Sequence, residues 1–320
     1  MLNLKFKVIL INLHMKNKEI KKKFIFLGET DSINIEIILN SHSYLKNKIK
    51  YLIICNKFDL KKYIKKSKSK LEINEIFDPI NFTNFNKNSL NVFNISPKYK
   101  EKYKNLLNQL NISNILSSST GFDLITMPID KSLFKKKIKF IGVTEYLGKI
   151  NNTNTAMLMY GERFSVLPLT THINLKNVYK NLNEKKLKAQ LDLILKFIKL
   201  KKYKLTFKSI KFLCYNPHCG EDKTIGKEDN LITKTIKSHF KKISGPYPSD
   251  SAFNKLDKNT LFISTYHDQA LIPFKILNKN GVNMTLGLIY RRISPAHGTA
   301  KDLKFKNKSD NKSFIKCMTI

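Results

Sequence analysis

The chain has 320 residues, 59 of them basic and 24 acidic, which leaves a formal charge of +35; 42% of its residues are apolar and none is tryptophan. That composition is globular: it excludes disorder throughout, collagen, a coiled coil and a disulfide scaffold, and at about 150 residues per domain the length predicts two domains. The only arginines are Arg163, Arg291 and Arg292, and the lysines accompany Asn and Ile along most of the chain. The charge therefore reads as solvated surface under an AT-rich coding bias, and no specific nucleic-acid partner is expected.

Residues 1–22 read as a basic N-terminal extension. Its apolar run, Val8-Ile9-Leu10-Ile11, is far short of the roughly 20 residues a membrane span needs, and no small-x-small cleavage site follows. No membrane association and a cytoplasmic location are expected, and Met15 offers a later start that makes the residues before it dispensable. Apolar runs at 24–27, 51–54, 122–125, 210–213 and 261–264 predict buried strands. Between the second and third lies a Lys-, Asn- and Ser-rich stretch, about 60–116, with no clear boundaries. From 175 to 200, Leu187, Leu191, Ile194, Leu195 and Ile198 recur at helical period and predict one long amphipathic helix. Strands alternating with helices imply an α/β architecture. Cys55, Cys214, Cys219 and Cys317 show no CxxC spacing and read as reduced thiols.

Three histidines stand in polar turns directly after strand-like runs: His172, His218 and His267. They are about one βα unit apart, a spacing that would deliver three imidazoles to one point outside the strand ends, where α/β proteins bind ligands. Imidazole is a common ligand of divalent metals, and three protein ligands leave positions open for substrate. Taken singly, each is more readily read as a hydrogen-bonded structural histidine. Lys275, Asn283 and Arg292 lie in or beside segments too apolar for an ordinary solvated face. A cation in such surroundings is costly without an anion, which points to a carboxylate or phosphate ligand, against the alternative of a snorkelling Lys and a surface Arg.

Seven segments, in order, closely resemble the signatures of the 4-hydroxythreonine-4-phosphate dehydrogenase family of pyridoxal phosphate biosynthesis. They are Thr126-Met127-Pro128-Ile129-Asp130-Lys131, Gly142-Val143-Thr144-Glu145, Asn216-Pro217-His218-Cys219-Gly220-Glu221, Gly245-Pro246-Tyr247-Pro248-Ser249-Asp250, Tyr266-His267-Asp268-Gln269, residues 281–288 from Gly281 to Leu288, and residues 294–300 from Ser294 to Ala300. The resemblance implies a two-domain α/β fold like that of isocitrate and isopropylmalate dehydrogenases, with the active site in the interdomain cleft. Residues 23–140 plus 285–320 would form the cofactor-side domain, and 141–284 the metal and dimer side. It implies that His172, His218 and His267 hold one divalent ion (zinc, magnesium, manganese or cobalt), shared between the subunits of a homodimer. Thr144, Lys275, Asn283 and Arg292 would contact a small phosphorylated substrate. His297, Gly298, Thr299 and Asp302 would receive NAD or NADP. Asp268 and Asp250 would be catalytic carboxylates near the metal. The implied activity is oxidation and decarboxylation of 4-phosphooxy-L-threonine to 3-amino-2-oxopropyl phosphate.

The chain also departs from the family pattern. The glycine- and proline-rich loop after the first strand is replaced by Gly28-Glu29-Thr30-Asp31-Ser32-Ile33-Asn34-Ile35-Glu36. Val143 stands for a histidine, Ile293 for a threonine, Ala296 for an aspartate, and Cys219 for an alanine. Such drift around an intact histidine set also fits a dehydrogenase of a related phosphorylated hydroxy acid, or a degraded, non-catalytic basic binding protein.

Overall fold

The computed structural model describes residues 21–320. The extension and Met15 thus lie outside the described residues, apart from Lys21 and Lys22 at the entrance to the first strand. The chain builds one twelve-stranded sheet. Its first half comprises β1 (Lys22–Phe26), α1 (Asn34–Leu45), β2 (Lys50–Cys55), α2 (Lys57–Ser67), β3 (Ile73–Glu75), β4 (Leu90–Asn94), α3 (Lys102–Thr120), β5 (Asp123–Thr126) and α4 (Val143–Ile150). The second half runs through β6 (Ala156–Tyr160), β7 (Ser165–Thr170), α5 (Val178–Asn181), α6 (Glu184–Ile198), β8 (Ser209–Leu213), α7 (Asp229–His239), β9 (Ile243–Tyr247) and α8 (Ser249–Ala252). It continues with β10 (Thr260–Tyr266), α9 (His267–Leu277), β11 (Val282–Leu286), β12 (Arg292–Pro295) and α10 (Lys312–Thr319).

The spatial order is β3-β4-β2-β1-β5-β12-β11-β6-β7-β10-β8-β9. Most neighbours are parallel, but β11 is antiparallel to both β12 and β6, and β6 to β7. The α/β architecture read from the sequence is the one observed, and the five expected strands are β1, β2, β5, β8 and β10. The predicted 175–200 helix is corrected. A turn of 3₁₀ helix and the short α5 precede a break at Leu182, and α6 begins only at Glu184. The physical reason is Asn183, whose side chain accepts from the Lys186 amide and so starts a new helix rather than continuing the old one.

The two faces of the sheet differ. On one, α1, α6, α7 and α10 close a continuous apolar layer that includes Ile25, Ile53, Ile125, Leu158, Met284 and Ile293. On the other, the apolar packing splits into two clusters, one under α3 and α4 around Phe24, Phe26 and Leu147, the other under α9 around Phe164, Phe262 and Phe274. Because successive strand residues point to opposite faces, Thr126, Asn283, Thr285, Arg292 and Ser294 project between those clusters. A polar gap opens there.

Candidate active site

The gap is a cleft of 370 Å³, floored by β5, β12, β11 and β6 and flanked by the first turn of α4 and by α9. Val143, Thr144, Lys275, Asn283, Arg292, His172, His297 and Gly298 all line it. Arg292 lies at its floor and is only 4% exposed. Its Nε and Nη2 donate to the Thr126 hydroxyl at 2.8 and 2.5 Å, and its Nη1 donates to the hydroxyls of Thr144 and Thr285 at 3.2 and 3.1 Å. Among the described residues no carboxylate hydrogen-bonds to it, and burial lowers its pKa to about 10. A buried guanidinium whose hydrogen-bond partners among the described residues are neutral hydroxyls is suited to an anionic ligand. Asn283 Oδ1, beside it, is buried without a partner. Neither Thr126 nor Thr285 was singled out from the sequence. The signal was present in β11, where polar Asn283 and Thr285 alternate with apolar Val282, Met284 and Leu286.

Lys275 differs from the buried cation expected of its apolar surroundings. It is exposed on α9, flanked by the exposed Ile272 and Ile276, so it reaches the cleft from the rim and is not a buried cation. Ile293 points to the opposite, apolar face, so its departure from the family pattern does not touch the cleft. Val143 and Ala296 do line it.

A second hollow, of 420 Å³, adjoins the cleft through His172 and also holds His267 and Asp268. The rings of His172 and His267 lie 5.6 Å apart, because β7 and β10, which they follow, are hydrogen-bonded neighbours. His172 Nδ1 is 3.1 Å from Glu145 Oε1, and His267 Nδ1 is 2.6 Å from Asp268 Oδ1. Glu145 Oε1 also accepts from the Thr171 hydroxyl at 3.0 Å. Burial pushes the Glu145 carboxyl up, but the bonds from His172, its own amide and Thr171 outweigh it and hold the pKa at about 2.

His218 does not join this pair. Among the described residues no group of three His, Cys, Asp or Glu side chains comes close enough to hold a metal ion, so convergence of three imidazoles at one point of a single chain is corrected. β8 lies on the far side of β10 from β7, and residues 218–222 run in left-handed backbone that carries His218 toward α8, where its Nδ1 is 3.9 Å from Asp250 Oδ2. Two imidazoles with carboxylates on Nδ1 still present free ring nitrogens, a donor set suited to a divalent ion completed from elsewhere.

Near the other end of the cleft, His297 Nε2 is buried without a partner, and burial lowers the pKa of the ring. Gly298 has open space where a side chain would stand, as close approach of a flat ligand requires. Thr299 and Asp302 lie beyond the cleft lining. The Thr299 carbonyl instead accepts from the Ile33 amide at 3.1 Å, tying this loop to residues 28–36. The altered 28–36 loop is internally braced. Gly28 has φ +70° and an added Cβ would meet the Pro128 carbonyl oxygen at 2.5 Å. The Asn34 side-chain amide donates to the carbonyls of Leu27, Glu29 and Pro128 at 3.0, 3.0 and 2.9 Å.

Comparison with known proteins identifies the family. The model of the family described as pyridoxal phosphate biosynthetic protein PdxA matches residues 34–320. A 4-hydroxythreonine-4-phosphate dehydrogenase of Sulfurihydrogenibium is 31% identical over 313 residues, 93% of this chain and 97% of that protein. One from Aquifex aeolicus is 40% identical over 204 residues, 62% of this chain and 63% of that protein. The crystal structure of the Klebsiella pneumoniae protein of that name superposes with a TM-score of 0.77 at 23% identity, covering 94% of this chain and 97% of that one, and so shares the fold.

Proposed function

Since the chain belongs to the pyridoxal phosphate biosynthetic protein PdxA family, we propose that it is a dehydrogenase that oxidises 4-phosphooxy-L-threonine at its secondary alcohol and releases the carboxylate as carbon dioxide. The product is 3-amino-2-oxopropyl phosphate, and hydride passes to NAD or NADP. The observation that carries this reading is Arg292, a buried cation whose side-chain partners are all neutral hydroxyls. It gives an anionic substrate a fixed point on the cleft floor, while Asn283 offers an unpaired amide oxygen and Lys275 a mobile charge at the rim.

When bound, the divalent ion supplies Lewis-acid stabilisation of developing negative charge, and the nicotinamide accepts hydride. His172 and His267, whose rings lie 5.6 Å apart, would hold the ion, with His218 reaching it across a homodimer. Asp268 Oδ1 keeps the His267 ring oriented, and Asp268 and Asp250 are the carboxylates assigned to take up the alcohol proton. His297 and Gly298 flank the cofactor, with Thr299 and Asp302 further along the same loop. In this reading residues 23–140 with 285–320 form the cofactor side and 141–284 the metal side, and the enzyme works in the cytoplasm. A related phosphorylated hydroxy acid is the second reading, favoured by Val143 in the cleft lining.

The test is turnover of purified protein with 4-phosphooxy-L-threonine, NAD and added divalent metal, following reduced nicotinamide and carbon dioxide. Activity is expected to vanish with chelator and return with metal. Turnover that survives complete metal removal, or none with this substrate beside brisk oxidation of a phosphorylated hydroxy acid lacking the amine, refutes the first reading.

A further inference from the structure

We propose that Glu145 is the positioning residue of His172: it holds the proton on Nδ1 and so turns Nε2 toward the divalent ion. The inference rests on the metal reading above. Glu145 Oε1 receives two hydrogen bonds from adjacent residues at the end of β7, from the Thr171 hydroxyl at 3.0 Å and from His172 Nδ1 at 3.1 Å. An ionised carboxylate only accepts, so Nδ1 must carry the hydrogen and the lone pair is left on Nε2.

Three further observations mark the arrangement as built. His172 has φ +49°, a left-handed conformation that is uncommon for a residue with a Cβ and persists only where neighbours hold it. A Cβ on Gly142 would come within 2.7 Å of Glu145 Oε2, so glycine at the start of α4 leaves the carboxylate room to fold back toward β7. His267, by contrast, is paired with the next residue in sequence, Asp268, and needs no other element.

Glu145 alone among these carboxylates comes from α4, and the residue before it, Thr144, accepts from Arg292 at 3.2 Å. One helical turn thus carries a contact of the anion site and the brace of a metal ligand on consecutive residues. That turn would couple the anion site to the metal ligand.

The experiment titrates Co²⁺ into the full-length protein, reading its visible absorption and competition with a chelator, for the parent and for Glu145→Ala, Glu145→Gln and His172→Ala. Removing a partner that orients a ligating histidine typically costs about 10- to 100-fold in metal affinity. That loss is expected for Glu145→Ala, and a clearly smaller one for Glu145→Gln, whose amide oxygen still accepts from Nδ1. The metal concentration for half-maximal turnover should rise in parallel, with kcat at saturating metal changing less. Where Glu145→Ala does not fold, Glu145→Met, which fills the volume without an acceptor, carries the same expectation.

Co²⁺ affinity within about twofold of the parent in the folded Ala or Met variant overturns the proposal, as does a Gln variant no better than Ala. His172→Ala separates the two readings. If it loses Co²⁺ while Glu145→Ala keeps it, the role of Glu145 alone is wrong; if it keeps Co²⁺, the metal reading itself fails.

Discussion

In the proposed reading, Arg292 joins stability and function in opposite directions. Holding a guanidinium at 4% exposure on three neutral hydroxyls is expensive for the free protein and useful only when an anion arrives. Arg292→Met is therefore expected to lower kcat/KM by at least about 100-fold, roughly 3 kcal/mol, while leaving Tm unchanged or raised. Thermal unfolding and steady-state kinetics on the same preparation check it. A large drop in Tm would mean the cation is a structural strut. Val143 poses the complementary question, because it lines the cleft where the family has a histidine. Val143→His should lower KM for the phosphorylated substrate by roughly tenfold to 100-fold, with kcat changing less, since it restores a donor to a charged group. An unchanged or higher KM would show either that the pocket has been rebuilt around valine or that another molecule is the substrate.

At the scale of elements, the loop between β1 and α1 shows how a departure from a family pattern can be absorbed. Where the resembled pattern has glycines and prolines this loop carries other side chains, and the Asn34 amide braces it by donating to three backbone carbonyls. Glu29 adds a second brace, accepting from the Asp31 amide at 2.8 Å and pairing with Lys102. Asn34→Ala should cost about 2 kcal/mol, lowering Tm by roughly 4–8 °C. If the loop at Thr299 receives the nicotinamide cofactor as proposed, the Ile33 amide bond to Thr299 means that the same change should weaken cofactor binding more than substrate binding, as measured by calorimetric titration of each. Equal effects on both ligands would argue for general loosening instead. In α6, the Asn183 cap that interrupts the expected long helix should be worth about 1 kcal/mol, which a urea titration of Asn183→Ala would read as a lower midpoint with an unchanged slope.

The whole molecule carries a formal net charge of +35, from 59 basic residues, all but three of them lysine, against 24 acidic ones. Such a field raises the local concentration of a phosphorylated anion without any specific contact, and it is screened once the Debye length falls below about 10 Å. KM for the phosphorylated substrate is therefore expected to rise several-fold between low salt and 0.5 M salt, in parallel in the parent and in Arg292→Met, because Arg292 is shielded in the floor. A KM indifferent to ionic strength in the parent would show that the lysines contribute nothing to capture. No described helix is long and apolar enough to cross a membrane.

What the sequence determined by itself was what local pattern encodes. Apolar runs at strand length marked β1, β2, β5, β8 and β10, and the order of seven short motifs identified the family, because each motif is a contiguous run of residue types that the chain displays without reference to its folding. It also pointed to Arg292, since an arginine stands out in a chain that otherwise uses lysine. What only the tertiary structure decided depended on which strands are neighbours and which way alternate residues point. Spacing along the chain could not reveal that β8 lies beyond β10, which separates His218 from His172 and His267. Nor could it show that Ile293 faces the apolar layer while Arg292, one residue earlier, faces the cleft. Glu145 stayed hidden for the same reason: its meaning lies in a 3.1 Å contact to a residue 27 positions away, and sequence encodes such a contact only through the packing of α4 against the end of β7.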